Sequence, residues 1–286
     1  MKPLSREEYV EQGFFFATVA NRLERGESLQ DVMVHVREEV LATTHLPMAI
    51  DYLRAELNHR GAMGPAMRRL GHYFTPFQTF LVESAEDERS RFGLLTCLNA
   101  LRYDAELRAK SPPPATQFFY QFETLSRCRL DYQNGLLAMG GDPSYDEAWR
   151  QWLSLVRRQV GLIDLADLVY VASEHYVDVQ QRRGVEDLKL PEHVLFGTKE
   201  GRIALANRRK DPVFLFEALQ RQLGYPKVPK LEARTENAGE QLQRLSRRLE
   251  RIEFRLKLLE DEQRSSGIDL SQFYQNRKRP PQGESD

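Results

Sequence analysis

Glu56 and His59 are the one pair in the sequence with the spacing of a metal site. Residues three apart share a helix face, and Glu-x-x-His is the motif of carboxylate-bridged di-iron bundles. Such a centre needs a second Glu-x-x-His, which is missing, because Glu174 and His175 are adjacent and their side chains diverge around a helix. We therefore predict surface or capping roles for Glu56 and His59, and we expect no metal or other cofactor.

Other catalytic signatures are absent from the sequence. It contains no G-x-x-x-x-G-K or G-x-G-x-x-G loop, no G-x-S-x-G elbow and no His-Glu-x-x-His. His175 lies beside an apolar helical stripe, which favours a partly buried, hydrogen-bonded histidine; a general base or a pH-sensitive switch is the alternative. Cys97 and Cys128 lack metal-ligand spacing, and we expect both to be small buried side chains.

Two aromatic clusters occur where helices follow loops, one within residues 72–80 and one within 118–122. They could close the core at these points, or they could line a ligand pocket or a docking groove. Arg127 and Arg129 follow the second cluster. These arginines could pair with acids across helices or receive an anion in a cavity.

The segments that carry these residues show sequence patterns typical of helices. Alternating runs of β-branched residues, which would indicate β-strands, do not occur in the sequence. Capping side chains mark helix starts at Ser5, Ser28, Thr75, Ser144, Asp164 and Asp211. Apolar residues then recur at spacings of three and four. We predict an all-α, irregular multi-helix bundle with helices at 5–25, 28–43, 47–61, 76–110, 115–138, 144–160, 164–183 and 211–223, and a short helical turn at 199–207. The fourth segment is polar over 83–91 and could break there.

Charge and hydropathy exclude some classes of partner. Lys and Arg total 41 and Asp and Glu total 42, so the formal net charge is -1 and no global field recruits nucleic acid or an anionic membrane. The arginine-rich stretch 244–255 is interleaved with glutamates, which disfavours nucleic acid. No stretch reaches the roughly 20 apolar residues of a membrane span, and charges follow Met1 closely. We expect a cytoplasmic protein without a membrane partner.

The most specific pattern in the sequence is a heptad repeat near the end of the chain. A linker that contains Pro and Lys separates it from Gly224, where the last predicted helix of the globular domain ends. Its a and d positions are Leu242, Leu245, Leu249, Ile252, Leu256 and Leu259. The g positions Arg248 and Arg255 would meet Glu253 and Glu260 of a parallel neighbour, at about 0–1 kcal/mol for each exposed pair. The pattern predicts a parallel homo-oligomeric coiled coil.

Alternatives to self-association remain open for this helix. It could pack on its own domain, although so narrow an apolar stripe is typical of a coiled-coil seam. It could also pair with a different partner helix. Leucine at a with leucine and one isoleucine at d does not select a dimer, so trimers and tetramers are possible.

Beyond the heptads, the tail carries an apolar-aromatic island of Ile268, Leu270, Phe273 and Tyr274. Such a tail is typically disordered, and a docking peptide that folds on another protein is the sharper hypothesis. We predict a globular helical domain at 1–224, a linker at 225–234, a coiled coil at 235–265 and a tail at 266–286. The first functional hypothesis is a non-enzymatic scaffold or adaptor. The alternative is a helical-bundle enzyme or a small-ligand or metal-binding protein using Glu56, His59 and the aromatic clusters.

Overall fold

The computed structural model describes residues 2–87, 89–183 and 192–231, together with Ser246, Leu249, Ile252, Glu253 and Leu256. By its contacts the chain divides into two units. One is Met1–Asn58 with Ala62–Ala233, and the other is His59–Gly61 with Arg234–Asp286. Within the described residues the fold is all-α, as predicted, with thirteen helices and two isolated β-bridges but no strand.

The helices α1 to α7 are Arg6–Glu24, Leu29–Glu39, Leu46–Arg60, Gly64–Arg69, Pro76–Glu86, Leu94–Arg108 and Pro114–Arg127. The helices α8 to α13 are Tyr132–Gly140, Glu147–Gln159, Leu165–Val171, Glu174–Arg182, Thr198–Ala206 and Pro212–Leu223. None of these described helices combines the length and the apolar character that crossing a bilayer requires.

Local capping chemistry sets most of the predicted helix starts. The side chains that accept a backbone N–H from the first turn, as predicted, are Ser5, Ser28, Thr75, Asp164 and Asp211. The prediction that Ser144 caps a helix is wrong. Helix α9 begins after Asp146, which accepts from the Trp149 N–H at 2.9 Å. The Ser144 hydroxyl instead accepts from Arg108 Nη1 at 3.2 Å.

Three predicted long helices are divided in the structure. The segment 76–110 becomes α5 and α6, because polar side chains in between form their own turns: Asp87 accepts the Arg89 N–H at 3.0 Å. The prediction of single helices over 115–138 and 164–183 is wrong. The first is interrupted where Arg129 has φ 52°, and the second at Ser173, whose hydroxyl caps α11.

Helix α4 was not predicted, because its start is capped by a residue distant in sequence. The Glu86 carboxylate of α5 accepts the backbone N–H groups of Met63 and Gly64 at 2.5 and 3.0 Å. Gly64 also allows close approach, since a Cβ there would lie 2.5 Å from Glu83 Cγ. The sequence around Met63 offers no side-chain cap of its own.

An aromatic core joins the middle of the chain to its later helices. The Phe118 ring lies edge-on to Trp152 at 5.0 Å and to Phe196 at 5.9 Å, and Phe196 also contacts Phe119 and Trp149. All these rings are buried. Edge-to-face contacts of this kind add to the free energy of burial.

Part of the predicted linker is packed against the helices of the first unit. Tyr225 and Val228, in the predicted linker, are buried in the first unit. Within Arg234–Asp286 the five described residues are helical, including the predicted seam residues Leu249, Ile252 and Leu256. The other residues assigned to the seam, its flanks and the tail lie outside the described residues, namely Leu242, Leu245, Arg248, Arg255, Leu259, Glu260, Ile268, Leu270, Phe273 and Tyr274.

Candidate functional site

The pair Glu56 and His59 lies on α3, and the two side chains do different things. Glu56 Oε1 accepts from Arg69 Nη1 at 2.9 Å, while His59 is exposed. Among the residues that the structure describes, no three His, Cys, Asp or Glu side chains converge in a way that could hold a metal ion. The described geometry therefore uses Glu56 to bind α3 to α4 and brings no further donor to His59.

The other singled-out nucleophiles and bases lie in packed surroundings. His175 is partly buried, with its ring 6.1 Å from the ring of Tyr170. Cys97 and Cys128 are buried free thiols, as predicted. Burial raises the pKa of Cys97 well above its ordinary value and the pKa of Cys128 to about 12. Thiols of this kind stay protonated and unreactive at neutral pH.

Both aromatic clusters supply buried core residues, and Arg127 has an acidic partner. The buried side chains of the two clusters are Tyr73, Phe74, Phe77, Phe118, Phe119, Tyr120 and Phe122. Arg127 donates to Glu123, one turn earlier on α7. The Tyr225 hydroxyl donates to the other oxygen of Glu123 at 2.7 Å, which joins α7 to the segment after α13.

A buried ionic cluster lies at the end of α6. Arg108 donates through Nε to Asp104 Oδ2 at 2.7 Å and through Nη1 to Asp142 Oδ1 at 3.0 Å. Both carboxylates are fully buried, and Arg108 is 4% exposed. Burial raises the pKa of Asp104 despite the opposing effect of Arg108. For Asp142, burial also acts upward, but Arg108 and hydrogen bonds hold its pKa below the ordinary value.

Glutamines surround this cluster and saturate the carboxylates. Asp104 accepts from Gln117 Nε2 at 2.7 Å and from Gln78 Nε2 at 3.3 Å. Asp142 accepts from Gln121 Nε2 at 3.0 Å. All three glutamines are fully buried. A buried charge is tolerated only when it is paired and hydrogen-bonded in this way.

The polar contacts continue from the cluster toward the surface. Gln78 Nε2 also donates to Gln12 Oε1 at 3.1 Å, and the Gln12 side chain lies beside the Tyr73 hydroxyl. Tyr73 donates to Glu8 Oε2 at 2.8 Å, and Glu8 Oε1 lies 2.6 Å from the exposed His45 Nδ1. We call this series, from His45 to Asp142, the polar spine. Its inner members are closed to solvent and hold helices together.

A concavity of a different character opens between α7, α8, α9, α10 and α13. This apolar pocket has a volume of about 250 Å³. Its lining residues are Phe122, Ser126, Tyr132, Val156, Val160, Gly161, Ile163, Asp164, Leu165, Leu168, Pro212 and Phe216. Phe122, Val156 and Phe216 form a buried floor, while Ile163 is 42% exposed at the lip.

The aspartates beside the apolar pocket are engaged in helix capping. Asp164 Oδ1 accepts the Ala166 N–H at 3.1 Å, and its Oδ2 accepts the Arg209 N–H at 2.8 Å. Asp131 and Asp211 cap α8 and α13, whose first residues line the pocket. These carboxylates are therefore compensated by backbone donors and helix dipoles.

A second concavity lies on the outer face of α1. This α1 groove has a volume of about 340 Å³ and is lined by Arg6, Glu7, Val10, Glu11 and Leu41. Glu11 accepts the Leu41 N–H at 2.8 Å, which fixes the connection between α2 and α3 against α1. The lining of the α1 groove is less apolar than that of the apolar pocket, because three of its five lining residues are charged.

Comparison of the chain with known proteins identifies no relative. The chain matches no protein-family model, no curated protein and no solved structure. Function therefore has to be argued from the residues of this chain, and the fold class by itself does not supply it.

Sequence reasoning missed the polar spine, and it anticipated only one wall of the apolar pocket, through the alternative that the aromatic cluster at 118–122 lines a ligand pocket or a docking groove. A signal for the spine exists, because Gln117 and Gln121 are polar residues one turn apart within an otherwise aromatic helix, and Asp104 and Arg108 have the same spacing. The same spacing of polar residues is equally typical of the solvent-exposed face of a helix. Phe122 of that cluster does line the pocket, but the sequence gives no signal for the facing wall, which comes from residues as distant as Phe216.

Proposed function

We propose that the protein is a non-enzymatic helical scaffold or adaptor that self-associates through a C-terminal coiled coil. The heptad pattern carries the proposal. Its central a and d residues, Leu249, Ile252 and Leu256, are helical and are 58%, 47% and 54% exposed. Leucine and isoleucine at this spacing form an apolar seam, and an exposed seam gains free energy when a second helix covers it.

The chemistry of the first unit supports a non-enzymatic role. The buried group of Asp104, Arg108 and Asp142 is closed to solvent, and its carboxyl and guanidinium groups are hydrogen-bonded to each other. His59 is exposed without a convergent partner set in the described residues. A catalytic site needs groups that meet at a place a substrate can reach.

Oligomerisation would change how the first unit works. A coiled coil places several copies of one binding surface together, so a multivalent partner is held by avidity without any new contact. Each buried seam side chain contributes roughly 1.5–3 kcal/mol, so six such positions per chain can drive the association of two or more helices.

The mass in solution tests this proposal. We expect the full-length protein to be oligomeric by light scattering on a sizing column. The double substitution Leu249→Lys with Leu256→Lys should make it monomeric, because two charges would enter the seam. Glu250→Lys, at a b position outside the seam, is the matched control and should leave the mass unchanged. A monomeric wild type, or an oligomer that survives the double substitution, would overturn the proposal.

A further inference from the structure

We propose that the heptad seam joins three parallel copies of this chain, and that arginines at the edge of the seam set this number. The inference rests on the proposed function, because it names the partners of the same seam as two further copies of the chain. Three features support it: the residue types at the a and d positions, the polar residues beside them, and charges that one helix alone leaves unpaired.

The described part of the seam is an exposed apolar face. Leu249, Ile252 and Leu256 are helical and exposed. Residues three and four positions apart share a helix face, so these side chains form one stripe. Glu253 is helical and exposed too, and it flanks the stripe because it is four positions after Leu249 and three before Leu256. An occupant that matches this face brings an apolar stripe and a cation for the carboxylate.

The arginines at the g positions have no acidic neighbour along their own helix. On a helix, the neighbours of a residue are three and four positions away. For Arg248 they are Arg244, Leu245, Arg251 and Ile252, and for Arg255 they are Arg251, Ile252, Leu258 and Leu259. By spacing, each g arginine therefore has another arginine as a neighbour and no carboxylate. A second, parallel copy supplies the missing acids, because its e positions are Glu253 and Glu260.

The residue types in the seam argue against two strands. Two-stranded parallel coiled coils favour a β-branched residue at a with leucine at d. The a residues here are Leu242, Leu249 and Leu256, and the β-branched Ile252 occupies a d position. Leucine at a with isoleucine at d moves the preference to three or four strands.

The residues beside the seam argue against four strands. Each added strand widens the arc over which a helix contacts its neighbours, so that the e and g positions become more buried. The residues at these positions are Gln241, Ser246, Arg248, Glu253, Arg255 and Glu260, all of them polar or charged. Their burial in a four-stranded core would cost free energy, because each polar group would need a buried partner.

An arginine at g suits the intermediate case of three strands. Its methylene groups cover the margin of the apolar core, while its guanidinium group stays at the surface. The planar guanidinium can then bind a carboxylate of the next chain through two parallel hydrogen bonds. The sequence repeats this arrangement in two successive heptads, with Arg248 five positions before Glu253 and Arg255 five positions before Glu260.

Sedimentation equilibrium of the full-length protein measures the number of chains. We expect a mass three times that of one chain, which is 33.3 kDa. The mass of a single chain would overturn both the proposed function and this inference. A mass of two or four chains would overturn the inference alone and would leave self-association in place.

Charge reversal at the g positions tests what holds the three chains together. In the double variant Arg248→Glu with Arg255→Glu, each new glutamate would meet Glu253 or Glu260 of a neighbouring chain. We expect the protein concentration at which the trimer dissociates to rise at least tenfold. The rise should shrink with added salt, because the pairs lie at the solvent-exposed edge of the seam.

The matched control reverses two arginines away from the seam. Arg244 and Arg251 occupy c positions one heptad apart, on the side of the helix that faces away from the partner chains. The double variant Arg244→Glu with Arg251→Glu makes the same change in charge and should not weaken the trimer. Circular dichroism verifies that each variant keeps its helical content.

Restoring the pairs with opposite polarity completes the test. When Glu253→Arg and Glu260→Arg are added to the g-position reversal, an arginine again meets each glutamate. The dissociation concentration of this quadruple variant should return to within threefold of the wild-type value. In an antiparallel assembly g meets g and e meets e, so neither step would act in this way. A g-position reversal without effect, or a quadruple variant that stays weakened, would overturn the inference.

Discussion

Arg108 and Asp142 form an ion pair that is buried on both sides, and it joins the last residue of α6 to the turn between α8 and α9. The same guanidinium holds Asp104, one turn earlier on α6. One buried cation is thus shared by two buried carboxyl groups. Removing one member of such a group leaves uncompensated charge in a medium of low dielectric constant, which is far more costly than losing an exposed pair.

Arg108→Leu is therefore expected to lower the free energy of unfolding by about 3–5 kcal/mol. Urea unfolding followed by circular dichroism measures the change. The control is Arg102→Leu, which breaks the partly exposed pair with Glu106 on the same helix and should cost only about 0.5 kcal/mol. A loss below about 1 kcal/mol for Arg108→Leu would show that the buried charges are compensated in some other way.

Glu8 makes stability depend on pH in the acid range. Burial acts to raise its pKa, but hydrogen bonds from His45 and Tyr73 outweigh it and hold the pKa below the ordinary value of 4.5. A carboxyl with a depressed pKa contributes stability above its unfolded pKa and loses it as pH falls through the folded pKa. Below pH 4.5, the unfolding free energy of the wild type should therefore fall more steeply than that of Glu8→Gln.

Unfolding titrations between neutral pH and the acid range test this dependence. Near neutrality Glu8→Gln should be less stable by about 1–3 kcal/mol, because three hydrogen bonds to a carboxylate are weakened. Tyr73→Phe removes one of those bonds and keeps the carboxylate, so its curve should lie between the other two. Parallel curves for all three proteins would contradict the assignment.

Gly201 permits close packing between α12 and the start of α11. A Cβ at this position would lie 2.6 Å from Ser173 Cβ and 2.8 Å from His175 Cβ. Gly201→Ala should therefore destabilise the protein by about 1–3 kcal/mol through overpacking, despite the better helix propensity of alanine. Gly140→Ala is the matched control, because nothing lies within 4 Å of its added Cβ, and it should be neutral or slightly stabilising.

The two thiols should be unreactive in the native protein. Burial raises the pKa of Cys128 to about 12 and that of Cys97 well above its ordinary value, so the thiolate is scarce at pH 8. Labelling with Ellman's reagent is expected to be at least about 100-fold slower in buffer than in guanidinium chloride, where two thiols should react. One thiol that reacts rapidly in the native state would place a cysteine at the surface.

Elements governed by local chemistry could be predicted from the sequence. The cap at Thr75 needs only Gln78, three residues away, and the two side chains form the complete capping box. Helix breaks were harder to predict. Ser173 ends one helix and begins another because its hydroxyl donates to the Tyr170 carbonyl and accepts from the Tyr176 N–H, a choice that competes with continued helix.

By itself the sequence determined the helical class, most helix starts and the periodic apolar pattern of the predicted heptads, because each depends on residues within one or two turns of each other. Only the tertiary structure decided which polar residues are buried together and where a concavity opens. Glu8 and Tyr73 are 65 positions apart, and Gln12 and Gln78 are 66 apart. A local pattern cannot identify such pairs, because a glutamine on a helix face is compatible both with water and with a buried hydrogen-bonded network. The choice depends on which faces meet when the helices pack.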